Sequence, residues 1–405
     1  MLRGRWQFLA GAAGAAGSRL AASVIVARVV GPAAYGLWAL SEVLIMYAPL
    51  LAFGMANGLR RELANQPSSV DQQRMISTAV LLGFLSSSIL AFALPFLLWP
   101  DRLPLALQAL TALAAGTTTT QQSMFVAHRA FLRFELIGRI QLMGAAVTLG
   151  FLAILLLAGI GVYALPAALA SGALFSTVMA WAQMPESRTS SIRIRLALEL
   201  GMVGMPIALA GTAYIIWSSL DRLAIERFLG VAALGQYFPA LMVATVLSFL
   251  RTLLSERFYP QIVLAHLGKH PSGASAIDLA RRENRLTLMA LTGTGLMAAA
   301  LLPFIVPFML PAYRDGVQPA QIVALGFLVI GLGAGYGDYL NAVGRQNTYL
   351  LFQLAALALS AIAMIAVIKA IPTLNGAALG FVFASVLQGL GLLALVRVLP
   401  ERSSG

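Results

Sequence analysis

The 405-residue sequence contains no cysteine, which excludes disulfides, thiol chemistry and cysteine-ligated metal sites. Histidine is nearly as scarce, with only His128, His266 and His270. The last two have H-x3-H spacing, but no partner residues cluster around them, so no metal centre is expected there. Charge is sparse as well: 10% of residues are charged, against roughly 25% in soluble domains. An ordinary soluble domain is thereby excluded. No phosphate-binding loop of the G-x4-G-K-S/T type occurs, so the chain carries no fused ATPase module. Alternating apolar and polar segments are missing too, which excludes a transmembrane β-barrel.

What the chain has is apolar length. Hydrophobic residues make up 60% of it, in runs of about 20 residues, each long enough to cross about 30 Å of hydrocarbon as a helix. Twelve spans are expected, at 6–29, 35–57, 75–99, 104–127, 137–158, 161–182, 200–228, 233–255, 286–310, 318–341, 347–370 and 374–397. Turn-like interruptions separate them: "VGPAAYG", "WPDRLP", "AGIGVY", "LPAYRDG" and "IPTLNG". The opening "MLRGRWQFLAGAAGAAG" has the basic start and small-residue run of a signal peptide. Its apolar stretch runs on to Val30, so it reads as an uncleaved first helix. The fold class is an all-α polytopic membrane protein.

The net charge is +12, but it lies in short loops between spans. It reads as topology and as attraction to anionic lipid headgroups, and nucleic acid is not an expected partner. With the N-terminus in the cytoplasm, Arg60, Arg61, Arg74, Arg129, Arg133, Arg139, Arg188, Arg193, Arg195, Arg257, Lys269, Arg281, Arg282 and Arg285 fall on that side. The bias over the other face is about three to one, and both termini come out cytoplasmic. The largest loop, 256–285, is amphipathic and cytoplasmic. The outer loops are short, which argues against a membrane-embedded glycan polymerase or ligase with its carboxylates on that face.

One short turn is written twice. "ARVVGPAAYGLWAL" begins at Ala27, and "ERFLGVAALGQYFPAL" begins at Glu226. With Arg28 on Arg227, Gly31 meets Gly230, Ala33 meets Ala232, Ala34 meets Ala233, Gly36 meets Gly235 and Trp38 meets Tyr237. Each turn joins the first two helices of a half, so the chain divides into two six-helix lobes, 1–190 and 191–405, related by a parallel internal repeat. A weaker echo sets "FVAHRAFLRFELIGR" against "LNAVGRQNTYLLFQL", with Arg129 on Arg345.

At these residues the sequence resembles a known family. "RLAASVIVARVVGPAAYGLWALSEVLIMYAPLLAFGMANGLRREL" and "LDRLAIERFLGVAALGQYFPAL" are similar to bacterial polysaccharide-biosynthesis membrane proteins. These are the lipid-linked oligosaccharide flippases of the multidrug/oligosaccharidyl-lipid/polysaccharide exporter superfamily. The resemblance implies a V-shaped pair of six-helix bundles around a central cavity, located in a bacterial inner membrane. It implies alternating-access transport of an undecaprenyl-diphosphate-linked glycan, with no covalent chemistry and no cofactor. Membrane lipids and a glycan polymerase machinery are the implied partners.

Ionisable residues inside spans cost about 2.5–3.5 kcal/mol at a helix centre, so each one is informative. Arg19 lies about 15 Å deep in span 1 and Glu42 about 10 Å deep in span 2, from the same end. They read either as a structural salt bridge or as a phosphate-binding arginine with a modulating carboxylate, since the guanidinium fork matches phosphate oxygens. The repeat offset places Asp221 and Arg222 opposite Ala22 and Ser23, inside span 7. With Ser218 and Glu226 they form a polar stripe, packed as ion pairs or lining the cavity as a second phosphate site. In span 4, "TTTTQQS" offers Gln121 and Gln122 as partners for sugar hydroxyls, or as interhelical packing. Asp338, in the Gly-rich span 10, is a candidate for energy coupling or a solvated interfacial residue. Pro206 is a kink in span 7, and Gly14, Ser18 and Ala22 give span 1 a small-residue face. Two rival functions stay open: a multidrug exporter of the same superfamily, and a membrane glycan polymerase or ligase.

Overall fold

The computed structural model describes residues 2–63, 68–100, 102–184, 192–270 and 273–399. Apolar runs with every backbone group bonded inside the helix are what a bilayer requires, and the described residues are almost entirely helical. In chain order the helices are α1 (Leu2–Met46), α2 (Ala48–Leu51), α3 (Met55–Glu62), α4 (Ser69–Leu98), α5 (Leu105–Ala130), α6 (Phe134–Leu157), α7 (Ala164–Ala182) and α8 (Ile194–Ser218). They continue as α9 (Leu220–Leu229), α10 (Val231–Gln236), α11 (Phe238–His266), α12 (Ala276–Met309), α13 (Val317–Ile330), α14 (Ala334–Ala342), α15 (Gln346–Ala370) and α16 (Leu374–Val398). Short 3-10 segments lie at Gly161–Tyr163 and Pro311–Gly316.

α1 is interrupted at Gly31, its second half runs on into α2–α3, and α8–α9, α10–α11 and α13–α14 run on across short breaks. The described helices therefore make twelve passages, at the twelve expected spans. Among the described residues, eight helices are able to cross a membrane by length and composition alone, and the segments Pro311–Ile330 and Ala334–Ala342, bent by 43°, make a ninth if they form one span. The protein is a multi-pass membrane protein.

Two compact units divide the chain, Met1–Thr212 and Ala213–Gly405. The division falls inside α8. The expected boundary at 190/191, like Arg188, lies in 185–191, outside the described residues, as does the side chain of Pro206. Glycine explains why the first part of α8 joins unit 1. A Cβ on Gly204 would strike the backbone of Gly54 and Gly58, and one on Gly58 would strike Leu200. Within unit 1, α5 is the central helix, packed against α1, α3, α4 and α7. A second close approach holds α1 to α6, where Gly11 faces Gly138.

The duplicated turn is duplicated in its backbone. Gly31 has φ 76, ψ 171 and Gly230 has φ 89, ψ 171, a region essentially restricted to glycine. No other atom would lie within 4 Å of a Cβ at either position, so the constraint is conformational and not steric. Gly31→Ala and Gly230→Ala are each expected to cost about 1–3 kcal/mol, measurable as lowered thermal stability in detergent. Unchanged stability of both would contradict the assignment.

Two further elements repeat. Ser68 caps α4 by accepting from the Asp71 N–H at 3.4 Å, and Asp71 pairs with Arg74 at 3.1 Å. Ser275 caps α12 by accepting from Asp278 at 3.2 Å, and Asp278 pairs with Arg281 at 3.3 Å. This S-x-x-D-x-x-R start shows that the expected 256–285 loop is mostly helix: α11 extends to His266 and α12 begins at Ala276. The other echo needs a correction. Arg345 caps α15 after Gly344 at φ 74, and its counterpart is Arg133, which caps α6 after Leu132 at φ 57. Arg129 is instead stacked over the Phe8 ring at 5.2 Å.

Candidate functional site

In unit 1, Arg19 sits midway along the first half of α1. Its neighbours Ser18, Ala22 and Val26 are buried, while Arg19 itself is exposed. Glu42, half-buried on the second half of α1, is the charge that acts on it. The break at Gly31 folds these two stretches back on one another and so brings cation and carboxylate to one place.

The polar run of α5 does something different. Thr117, Thr118, Thr119 and Thr120 are all buried, so α5 meets protein all round at this level. Thr117, Thr119 and Thr120 return their hydroxyls to carbonyls of their own helix. Thr119 also bonds Ser87 of α4 at 3.0 Å and Thr120 bonds Thr177 of α7 at 3.2 Å. The threonines therefore tie helices together. Gln121 is half-buried and Gln122 exposed.

In unit 2, Asp221 and Arg222 are 4% and 7% exposed. A break at Ser219 starts α9 afresh, and Asp221 in its first turn accepts the Arg222 N–H at 2.8 Å. The Arg222 charge and the Tyr237 side chain also act on Asp221, and Glu226 is buried beside them. In this conformation the stripe is packed inside unit 2.

Asp338 does not stand alone. It is half-buried on α14 and interacts electrostatically with Glu283 of α12, a carboxyl that is only 1% exposed and has one oxygen, Oε2, without a hydrogen-bond partner. Arg251 of α11 feels the charge of both carboxyls. It donates to the Tyr214 hydroxyl and lies over the Tyr214 ring at 4.9 Å. Glu283, Asp338, Tyr214 and Tyr349 all act on its charge. Tyr349 accepts from Gln353 at 2.6 Å, and Asn284 accepts from the Gly335 N–H at 2.6 Å.

The glycines of span 10 make this cluster possible. A methyl at Gly335 would stand 2.7 Å from the Ala280 carbonyl oxygen and 3.0 Å from Glu283 Oε2, and one at Gly337 would stand 3.2 Å from the Tyr349 ring. Gly335→Ala must push α12 from α14, because the carbonyl of Ala280 has no rotamer to yield. Overpacking of this kind costs about 1–3 kcal/mol. The variant should fold with lowered thermal stability, whereas wild-type stability would mean that the approach is looser than the structure has it.

Sequence reasoning reached Asp338 and missed Glu283, Arg251, Tyr214 and Tyr349. Glu283 was hidden by the loop reading of 256–285. The S-x-x-D start at Ser275 was the signal that placed it in the second turn of a helix. Among the described residues, no group of three or more His, Cys, Asp or Glu is arranged to hold a metal.

The chain matches the family described as polysaccharide biosynthesis protein over residues 25–266, more than half its length. No curated protein sequence matches it. Its fold is similar to that of a eukaryotic MATE transporter, with TM-score 0.70 and 16% identity over 98% of this chain and 96% of that one. A MATE transporter of Vibrio cholerae gives TM-score 0.64 and 15% identity over 98% and 95%. A MOP-superfamily transporter of Pyrococcus furiosus gives TM-score 0.60 and 12% identity over 96% and 94%. At these identities the likeness is one of fold.

Proposed function

This chain belongs to the polysaccharide biosynthesis protein family, and on that premise we propose that it is a flippase for a polyprenyl-diphosphate-linked oligosaccharide in a bacterial inner membrane, with both termini cytoplasmic. The observation that carries the reading is Arg19. A membrane helix that keeps an exposed arginine near its middle bears a cost that an anionic cargo offsets. Arginine binds phosphate oxygens bidentately. In this reading Arg19 takes the lipid diphosphate, Glu42 holds and releases it, and Gln121 and Gln122 meet sugar hydroxyls. The reading does not draw on Asp221 and Arg222, which are buried against each other.

The rival with support is multidrug export, because one protein of similar fold is a multidrug resistance MATE family transporter. Deleting the gene should leave lipid-linked glycan stranded on the cytoplasmic face of the membrane. Export of cationic drugs in a sensitised strain, with glycan unaffected, would favour the rival. Outward-facing unpolymerised glycan would favour a polymerase or ligase.

A further inference from the structure

α12 is longer than a bilayer needs. Its 34 residues rise about 51 Å at 1.5 Å per residue, against about 30 Å of hydrocarbon. The exposed side chains divide that length in two. From Met289 to Met309 every exposed residue is apolar, Met297, Leu301, Phe304 and Phe308 among them. That stretch alone rises about 30 Å, the full hydrocarbon thickness. A helix face with no exposed polar group over that distance suits lipid tails and not a water-filled cavity. α12 packs against α11, α13 and α14, and this stripe is what they leave uncovered.

The exposed residues just before the stripe are basic. Arg281, Arg282 and Arg285 are all exposed. Arg281 is paired with Asp278 at 3.3 Å. Among the described residues, no ion pair or side-chain hydrogen bond engages Arg282 or Arg285. Their spacing to Met289 puts all three on one helical face. Arg285 precedes Met289 by one turn, about 6 Å outside the hydrocarbon edge. The headgroup layer is about 5–8 Å deep on each side, so Arg285 stands at phosphate depth and Arg282 at the outer rim of that layer.

Unit 1 supplies the comparison. Its α4 starts with the same serine cap and Asp–Arg pair, and it exposes its own apolar residues Leu81, Leu85 and Ile89. In the register set by the two caps, Arg282 falls on Met75 and Arg285 on Thr78, both buried. A helix of this kind therefore starts and crosses without the two arginines, and their presence on α12 calls for a partner.

We propose that Arg282 and Arg285 form a docking site for an anionic phospholipid, whose phosphate takes the two guanidinium groups and whose acyl chain lies along the stripe from Met289. Arginine pairs bidentately with phosphate oxygens. A phosphatidylglycerol-class headgroup keeps its net negative charge, whereas phosphatidylcholine cancels its own. The bound lipid fixes the depth of α12 and of the α11–α12 hairpin.

The chain has no cysteine, so Met289→Cys gives a single labelling position at the head of the stripe. The purified full chain, carrying a fluorophore there, is placed in phosphatidylcholine nanodiscs. Equal small fractions of phosphatidylglycerol or phosphatidylcholine with a nitroxide high on one acyl chain are then compared as quenchers. The anionic lipid should quench as though enriched by about fivefold for each arginine. With the label moved to α4 by Leu81→Cys, the two lipids should quench nearly alike. Arg282→Gln combined with Arg285→Gln should bring the Met289 position to the same parity. If that variant is not recovered folded, salt at about 1 M should remove the preference from the labelled chain, since screening then acts within about 3 Å. Equal quenching at Met289, an equal preference at Leu81, or a preference that survives both the double substitution and the salt overturns the proposal. Displacement of the phosphatidylglycerol by a trace of unlabelled polyprenyl diphosphate also overturns it, because the site would then belong to the cargo.

Discussion

Arg19→Ala should lower translocation of lipid-linked glycan by about 100-fold or more, with protein abundance and thermal stability close to wild type. The size follows from the loss of two charge-assisted hydrogen bonds, each about 1.5–3 kcal/mol, where 1.4 kcal/mol corresponds to tenfold. Stability is spared because Arg19 is exposed and not held in the core. Arg19→Lys should retain part of the activity, since the charge remains but the planar fork does not. Glu42 tells the same story from the other side. If its role were to fix Arg19 structurally, Glu42→Gln would lower stability; if it competes with the cargo, Glu42→Gln slows release while stability holds. Normal translocation by Arg19→Ala would remove the arginine from the mechanism.

Arg222→Met is the second large effect, and it runs through stability. It leaves the Asp221 carboxylate buried without the cation that acts on it. Breaking a buried pair by removing one partner costs about 3–5 kcal/mol, much of the stability of a typical domain. The variant should be recovered poorly and unfold at lower temperature. Combining it with Asp221→Asn should restore much of the loss, because the remaining charge is then removed as well. Full stability with lost transport in Arg222→Met would instead make this arginine a cargo ligand, as its place in the sequence stripe first suggested.

The parts legible in the sequence are those governed by backbone restriction or by hydrophobic length. Twelve apolar runs became twelve helical passages. Gly31 and Gly230 were matched by spelling and share a glycine-only conformation. Arg129 on Arg345 failed because the true marker of register is a positive φ, carried by a glycine at 344 and by a leucine at 132, and leucine gives no sign of it. The 256–285 segment misled for another reason. Hydropathy marks where a helix is apolar, not where it ends, and the Ser275 cap was the better guide. Arg19 and Glu42 were found together because depth follows from counting residues. The partners of Asp338 come from α8, α11, α12 and α15, and no spacing along the chain announces such a meeting.

The most direct measurement of the central claim is reconstitution of the purified chain into proteoliposomes with a fluorescent polyprenyl-diphosphate glycan in one leaflet. A lectin outside the vesicles then reports arrival at the other leaflet. The account predicts protein-dependent translocation that Arg19→Ala abolishes. No translocation from vesicles in which the same protein transports a cationic drug would contradict it.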